Sequence, residues 1–577
     1  MRTIKSVLAL FLLGSVFFLA SCGKDEDPPK PAPTITATST TLSVIADTTA
    51  TFSVDISAAA GIKDITATFD KSNLGTIEVT NKADLVNQLV GTATLKFAST
   101  FELGTGIITI VVTDNASLSA QQTISVTVTD HPDIQISGKQ GDTGTNEYHI
   151  TEAATWGPHL TYHVTSNVFI EPGASLTLLE GTTVIVDGNF SFTVRGNFYS
   201  YGTAENQVLF TVPEGQRKPE NIFAGLWGGV LSSDTDGDND FTADEMVVLY
   251  TRIEYTGALG QDWQDIVKLG EVADNSVPSY ALFFNNANGK LIVQNSTFAY
   301  SADVALQVDG GTMLITNNTF ILTGKSGGES IDTKIGTNGD IAYNLFYRSA
   351  TNGVKYNAKN GSADIRIYNN TAVECGWRQT EHSNHGGSFN AEQGAKGVVY
   401  NNMIVNCTRG VRFSDGKIAD VAHLEVGHNF HYLNITSKVG VDEYVPQFYP
   451  EDGFIIFGNG GDEPNDVDST YLTSNDFPVP VYVADQYDQA ATIALSEDPM
   501  FENFDVTAFD VAAAEAAEEP GNETFPADMD FHLKANSPAL TGGKVDFDSF
   551  SGSLQAGGKT YEVPAPAEFI GAFGKKN

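Results

Sequence analysis

The chain has 577 residues, with 71 acidic side chains against 32 basic ones and a formal net charge of −39. So acidic a protein is repelled by nucleic acid and by anionic lipid headgroups, which makes both poor partners. Three cysteines in a chain of this length form no disulfide framework, and their spacing fits no zinc site. The acidic residues are dispersed, as on a solvated surface, and the length calls for two or more domains.

Residues 1–21 join a basic start (Arg2, Lys5) to an apolar run from Val7 to Ala20. This reads as a signal peptide with a small-residue cleavage site, too short to span a bilayer. Its removal takes the charge to −41, and no later apolar run approaches the length of a spanning helix. Leu19, Ala20 and Ser21 precede Cys22, a pattern that resembles the lipobox of bacterial lipoproteins. The acidic residues 25–27 that follow resemble the signal that sends Bacteroidota lipoproteins to the cell surface. The resemblance implies lipidation at Cys22 and an outer-membrane anchor facing the exterior. Residues 22–33, charged and Pro-rich, then form an extended tether.

Residues 34–130 alternate polar and apolar positions, as in 49–56 and 107–113, with a turn at Asp114 and Asn115. Short strands at this spacing predict a β-sandwich spacer resembling immunoglobulin-like or cadherin-like modules.

From residue 131 to 577 short strands with Gly-bearing corners predict a second all-β unit, and its middle repeats. Ser296-Thr297-Phe298, Asn318-Thr319-Phe320, Asn344-Leu345-Phe346, Asn370-Thr371-Ala372 and Asn402-Met403-Ile404 recur at spacings of 22, 26, 26 and 32. Coils of this size bury their apolar side only against neighbours, which is the logic of a β-solenoid. The recurring polar corner points to an asparagine ladder. Ser301, Thr323, Ser349, Cys375 and Cys407 form a second column, so the two cysteines stack in adjacent coils; buried thiols are favoured over a disulfide. The pattern resembles the right-handed parallel, pectin-lyase-like β-helix of surface lipoproteins of Bacteroidota. The ending, 530–540 and 570–573, resembles the closing segment of extracellular β-helix proteins. Residues 431–529, acidic and weakly periodic, read as surface insertions with a short helix.

A second strand aligns in the same coils. Leu306, Ile331, Val354, Phe389 and Val411 point inward by alternation. Gln307, Asp332, Lys355, Asn390 and Arg412 then point outward, followed by Asp309, Lys334, Asn357, Glu392 and Ser414. At about 4.8 Å per coil this ladder runs roughly 20 Å, a length that suits a short oligosaccharide.

Two further motifs carry chemistry. Asp234, Asp236, Asp238, Asp240, Thr242 and Glu245 occupy positions 1, 3, 5, 7, 9 and 12 of a twelve-residue loop, the arrangement that binds calcium in EF-hands. Asn239 stands where glycine is usual and the flanks read as strands, so a structural calcium is expected. The inter-coil insertion 376–387 offers Trp377 for sugar stacking, Arg378 for a carboxylate, and Glu381, His382 and His385 as acid/base or metal-ligating groups. A face holding Lys355, Arg412 and His382 resembles the grooves of β-helix polysaccharide lyases, while Asp332 and Glu392 are the pair a hydrolase would use. The first expectation is a surface lipoprotein that binds extracellular glycan, serving carbohydrate capture beside an outer-membrane transporter. Its alternatives are a lyase or glycosidase on the same face, and a calcium-stabilised spacer.

Overall fold

The computed structural model describes residues 29–141, 143–232, 244–359, 363–378, 388–408, 410–414, 420, 423–432, 455–458, 497–510, 513–514 and 528–576, with only the backbone of 412–414 and 455–458. The chain divides into two compact units, residues 1–131 and 132–577. Cys22 and most of 431–529 lie outside the described residues.

The first unit is a sandwich of two four-stranded sheets. One orders Thr34–Ala37, Thr49–Ser57, Val90–Ser99 and Gly75–Val79; the other orders Thr41–Ile45, Ser119–Thr129, Gly104–Asp114 and Ile62–Phe69. Alternate residues such as Val54, Ile56, Leu95, Phe97, Ile110 and Val126 meet in one core. The hairpin 104–129 closes because the buried Asp114 carboxylate accepts hydrogen bonds from the Ala116 and Leu118 amides, each at 2.9 Å. Those bonds satisfy the turn backbone, and Ser117 takes the left-handed conformation there.

The second unit is a right-handed parallel β-helix. Its described strands form three sheets of twelve, ten and eleven strands, here called the first, second and third sheets. A typical coil runs Leu306–Asp309 on the first sheet, Thr312–Thr316 on the second and Thr319–Ile321 on the third. Its core is continuous over coils from Ile136 to Tyr432. Phe298, Phe320 and Phe346 stack along the third sheet with ring centres 5.2 Å apart at each step.

The corner between second and third sheets holds the asparagine ladder. Asn318 Nδ2 donates to Asn344 Oδ1 at 3.0 Å and to the Val293 carbonyl of the preceding coil at 2.8 Å. The pattern repeats through Asn344, Asn370 and Asn402 and ends on Asn429, which the sequence alignment did not include. Each ladder oxygen also accepts the backbone amide of the preceding ladder residue. The residues just before them, including Asn295, Asn317, Tyr343, Asn369 and Asn401, have positive φ, a conformation asparagine tolerates better than most side chains. In the neighbouring column Cys375 and Cys407 are free, buried thiols, with the Cys375 amide 3.4 Å from Cys407 Sγ.

The C-terminal residues 540–573 run back along the outside of the second sheet. Tyr343 and Tyr368 donate their hydroxyls to the carbonyls of Ala565 and Pro564, and Asn401 Nδ2 donates to Lys544 O. The hairpin Ser553–Ala556 and Lys559–Glu562 packs Leu554 and Tyr561 onto Val247, Ile292 and Leu314.

Replacing Asn344 by leucine removes both its donated bonds, leaves the Asn318 backbone amide buried without its acceptor, and takes one of the two acceptors of Asn318 Nδ2. Unpaired buried polar groups cost roughly 1–3 kcal/mol each, so denaturant unfolding should show a loss of about 2–5 kcal/mol. A change below about 0.5 kcal/mol would mean that the ladder contributes little to stability.

Candidate functional site

The outward residues of the first sheet come together as two in-register rows. Gln307, Asp332, Lys355, Asn390 and Arg412 are paired strand to strand, and beside them run Asp309 with Lys334, then Asn357 with Glu392. Alternation in the sequence turns these side chains outward, along a face of a length that suits an oligosaccharide. Yet Gln307, Asp309, Asp332, Asn357, Asn390 and Glu392 are each no more than 5% exposed.

At one end of this strip the insertion 258–281 lies on the same sheet, and nothing in the sequence reading marked it. Its short helix Asp265–Lys268 is held by Arg195, whose Nε lies 2.9 Å from Asp265 Oδ2, and Gln264 Nε2 donates to Ser191 Oγ at 3.2 Å. Ile266, Val272 and Tyr280 pack on Leu231 and Phe283, outward residues of the first sheet.

Within the strip the charges pair with one another. Asp332 Oδ2 is 3.5 Å from Lys334 Nζ and 3.7 Å from Lys355 Nζ, and Glu329 Oε1 is 3.4 Å from Lys355 Nζ. The carboxylates of Asp332 and Glu329 push the Lys355 ammonium above its usual range despite burial. Burial pushes the Asp332 and Asp309 carboxyls up, opposed by Lys355 and Lys334 respectively.

The acids also orient the amides. Gln307 Nε2 donates to Asp309 Oδ1, and Asn390 Nδ2 donates to Glu392 Oε1 at 2.7 Å. Each amide therefore turns its oxygen the other way. Gln307 Oε1, Asp309 Oδ2, Asp332 Oδ1, Asn357 Oδ1 and Asn390 Oδ1 are buried and accept no hydrogen bond from any described residue.

Beside the strip, at the corner between third and first sheets, is a cavity of about 480 Å³. Phe223, Leu259 and Pro278 form its apolar wall, and Asp303 and Lys325 supply charge. Burial and the negative charge of Glu329 push the Asp303 carboxyl up to about 7. Asp303 and Glu329 were not singled out from the sequence; their place just ahead of the inward residues Leu306 and Ile331 was the available signal.

The insertion 376–387 is placed differently from its expected role. Trp377 is buried, donates Nε1–H to the Asn406 carbonyl at 2.7 Å and packs on Phe509, so its face is not presented for sugar stacking. Arg378 is buried too, donating to the Thr323 and Gly324 carbonyls with its guanidinium 4.7 Å from the Phe223 ring centre. Both are spent on packing the corner. Glu381, His382 and His385 lie outside the described residues, as do Asp234, Asp236, Asp238, Asp240 and Thr242. Glu245 of the calcium motif is described: its Oε2 accepts the Tyr199 hydroxyl at 2.9 Å and the Gly557 amide at 2.7 Å. Among the described residues no group of three or more metal-ligating side chains comes together, and no helix is long and apolar enough to cross a membrane.

No family model and no curated protein matches the chain. Among solved structures, a family 28 exopolygalacturonase of Yersinia enterocolitica is similar over 72% of this chain and 83% of its own, at 8% identity and a TM-score of 0.19. Domains 4 and 5 of the S-layer protein SbsC share 23% identity over 17% of this chain, which spans about half (46%) of that structure, at a TM-score of 0.15. A chimeric titin Z1Z2 shares 19% identity over 18% of this chain and 100% of its own, at a TM-score of 0.14. Likenesses this distant carry no functional argument. The strand pairing itself defines the class: an all-β protein joining a β-sandwich to a parallel β-helix.

The raised Asp303 carboxyl has a signed consequence. The folded state holds this proton more tightly than the unfolded chain, so the stability it contributes is complete below about pH 4 and is lost as pH rises through about 7. Asp303→Asn, which keeps the acceptor for the Val304 amide, should match the parent at pH 4 and exceed it at pH 8 by on the order of 1–3 kcal/mol. Thermal unfolding at the two pH values checks this; an equal difference at both would remove the proton from the account.

Proposed function

We propose that this chain is a surface-anchored β-helix lipoprotein that binds extracellular glycan at the first-sheet strip and its neighbouring cavity, as an accessory to carbohydrate capture. One observation carries the reading: five oxygens of the strip, on adjacent coils, are buried and accept no hydrogen bond from any described residue. Native proteins rarely bury acceptors without a partner, and exceptions cluster at functional sites. The cavity adds what such a site needs beside it, an apolar wall with a few converging polar groups. The anchor rests on Cys22 and its preceding residues, and the calcium at 234–245 is proposed as a structural ion.

Catalysis on the same face is the second reading, and the geometry favours hydrolysis over elimination. A lyase needs a base, but Lys355 sits between two carboxylates that keep it protonated. A hydrolase needs a proton-bearing acid, and Asp303 is one near neutral pH. The sequence-predicted pair fits less well. Asp332 and Glu392 are two coils and two residues apart, roughly 12 Å at the backbone from strand spacing and rise. That backbone separation is wider than the roughly 5–9.5 Å between carboxyls in glycosidases.

The test uses the chain from residue 23 with a panel of neutral and acidic oligosaccharides, followed by calorimetry and by assays for unsaturated and reducing ends. Binding without products is expected. Gln307→Met with Asn390→Leu, which removes two of the five oxygens at similar volume, should weaken it at least tenfold with the fold intact by circular dichroism. New ends lost in Asp303→Asn would make the protein a hydrolase. Binding that the double variant leaves unchanged would move the site off this strip.

A further inference from the structure

We infer that the glycan taken by the strip is uncharged: a hydroxyl-rich oligosaccharide, in preference to a polyuronate or an amino-sugar polymer. This rests on the proposed glycan-binding role and names its substrate class. The argument comes from what the strip has left over once its own groups have satisfied one another.

The cations among its described side chains are already paired. Lys334 and Lys355 both face Asp332 Oδ2, and Lys355 also faces Glu329. A ligand carboxylate would have to compete for these ammonium groups with acids fixed beside them, and would approach Asp303, Asp309, Glu329, Asp332 and Glu392 at close range. Like charges in a buried site repel strongly because the local dielectric is low. Arg412 ends the strip but only its backbone is described, so the balance is struck among the described side chains.

A ligand cation fares no better. Asp332 and Glu329 already hold Lys334 and Lys355, and Asp309 and Glu392 each hold a neighbouring amide, so it would displace one of those groups or lie beside an ammonium. Burial with an unpaired like charge is among the costliest arrangements in a protein.

Among the strip's buried atoms, what remains is acceptor capacity. The five unpaired atoms are all oxygens, two of them amide oxygens fixed in place because Asp309 and Glu392 hold the amide nitrogens. They call for donors that bring no net charge. Sugar hydroxyls are such donors, and several on one chain could meet oxygens repeating at the coil spacing of about 4.8 Å. A site built to hydrogen-bond a substrate discriminates sharply, because an ill-matched ligand leaves its buried groups unpaired.

The experiment compares three classes of hexasaccharide by calorimetry at pH 7.5: neutral hexoses in several linkages, hexagalacturonate, and the chitosan hexamer with its amines quaternised so that they stay charged at that pH. At least one neutral hexasaccharide should bind ten times or more tighter than either charged one, with an affinity unchanged between 50 and 500 mM salt. Asp309→Asn with Asp332→Asn, which removes two negative charges and keeps an oxygen at each place, should narrow the gap to hexagalacturonate by threefold or more. Equal or tighter binding of hexagalacturonate or the chitosan hexamer at the strip, lost in Gln307→Met with Asn390→Leu, would overturn this inference and leave glycan binding standing. Failure of every hexasaccharide to bind would overturn both.

Discussion

The ladder of asparagine amides at one corner of the β-helix is the constraint on which the rest depends. Each amide spans to the next coil and to the coil before, so three successive turns of chain are tied at a single buried residue. Buried amides tolerate little misplacement, because a shift of one residue would leave several polar groups without partners at once. The coils therefore stack in register although the corners elsewhere differ in length. Loops can lengthen from one coil to the next, as between Asn370 and Asn402, without moving the strands.

Register at that corner is what creates a row of side chains at the opposite sheet. Gln307, Asp332, Lys355 and Asn390 come from four coils yet face one another as strand neighbours. Asp332 pairs with Lys355 in the row and with Lys334 beside it, and acid and amide groups fix one another's direction. The result is a buried strip whose described lysines are paired and whose amides are directed. That separates this strip from a merely solvated face, where charged side chains would be exposed and mobile.

Much of the fold was legible because it is periodic. The Thr-Phe and Asn-Thr repeats report the coil directly, and alternation in 306–309 and 331–334 tells inside from outside. Ser296 to Asn402 read as a ladder because the same residue type returns at the same place; Asn429 follows at an ordinary spacing of 27 and was missed because the position two residues on, apolar in the earlier coils, is His431. The site was legible only in outline. Periodicity says that Asp332 points out of the core, but it cannot say that something else lies over it. The insertion 258–281 has no repeat to betray where it lands, and Trp377 looks alike in sequence whether it meets a sugar or Phe509. Asp303 and Glu329 sit in corners, whose lengths vary, so no column brought them together.

The segment lying along the second sheet bears on how the molecule reaches this state. Coils can be added one after another through contacts with the coil just completed, a local process. The returning segment is different: Asn401 bonds to a residue 143 positions later, and Glu245 to one 312 positions later. Closing loops of that size costs entropy that grows with length, and it cannot begin until the distant residues exist as free chain. Until then Val247, Ile292 and Leu314 form an uncovered apolar row on the outside of a finished solenoid. A folding chain thus passes through a stage that is ordered yet adhesive, and the arrival of Leu554 and Tyr561 ends it.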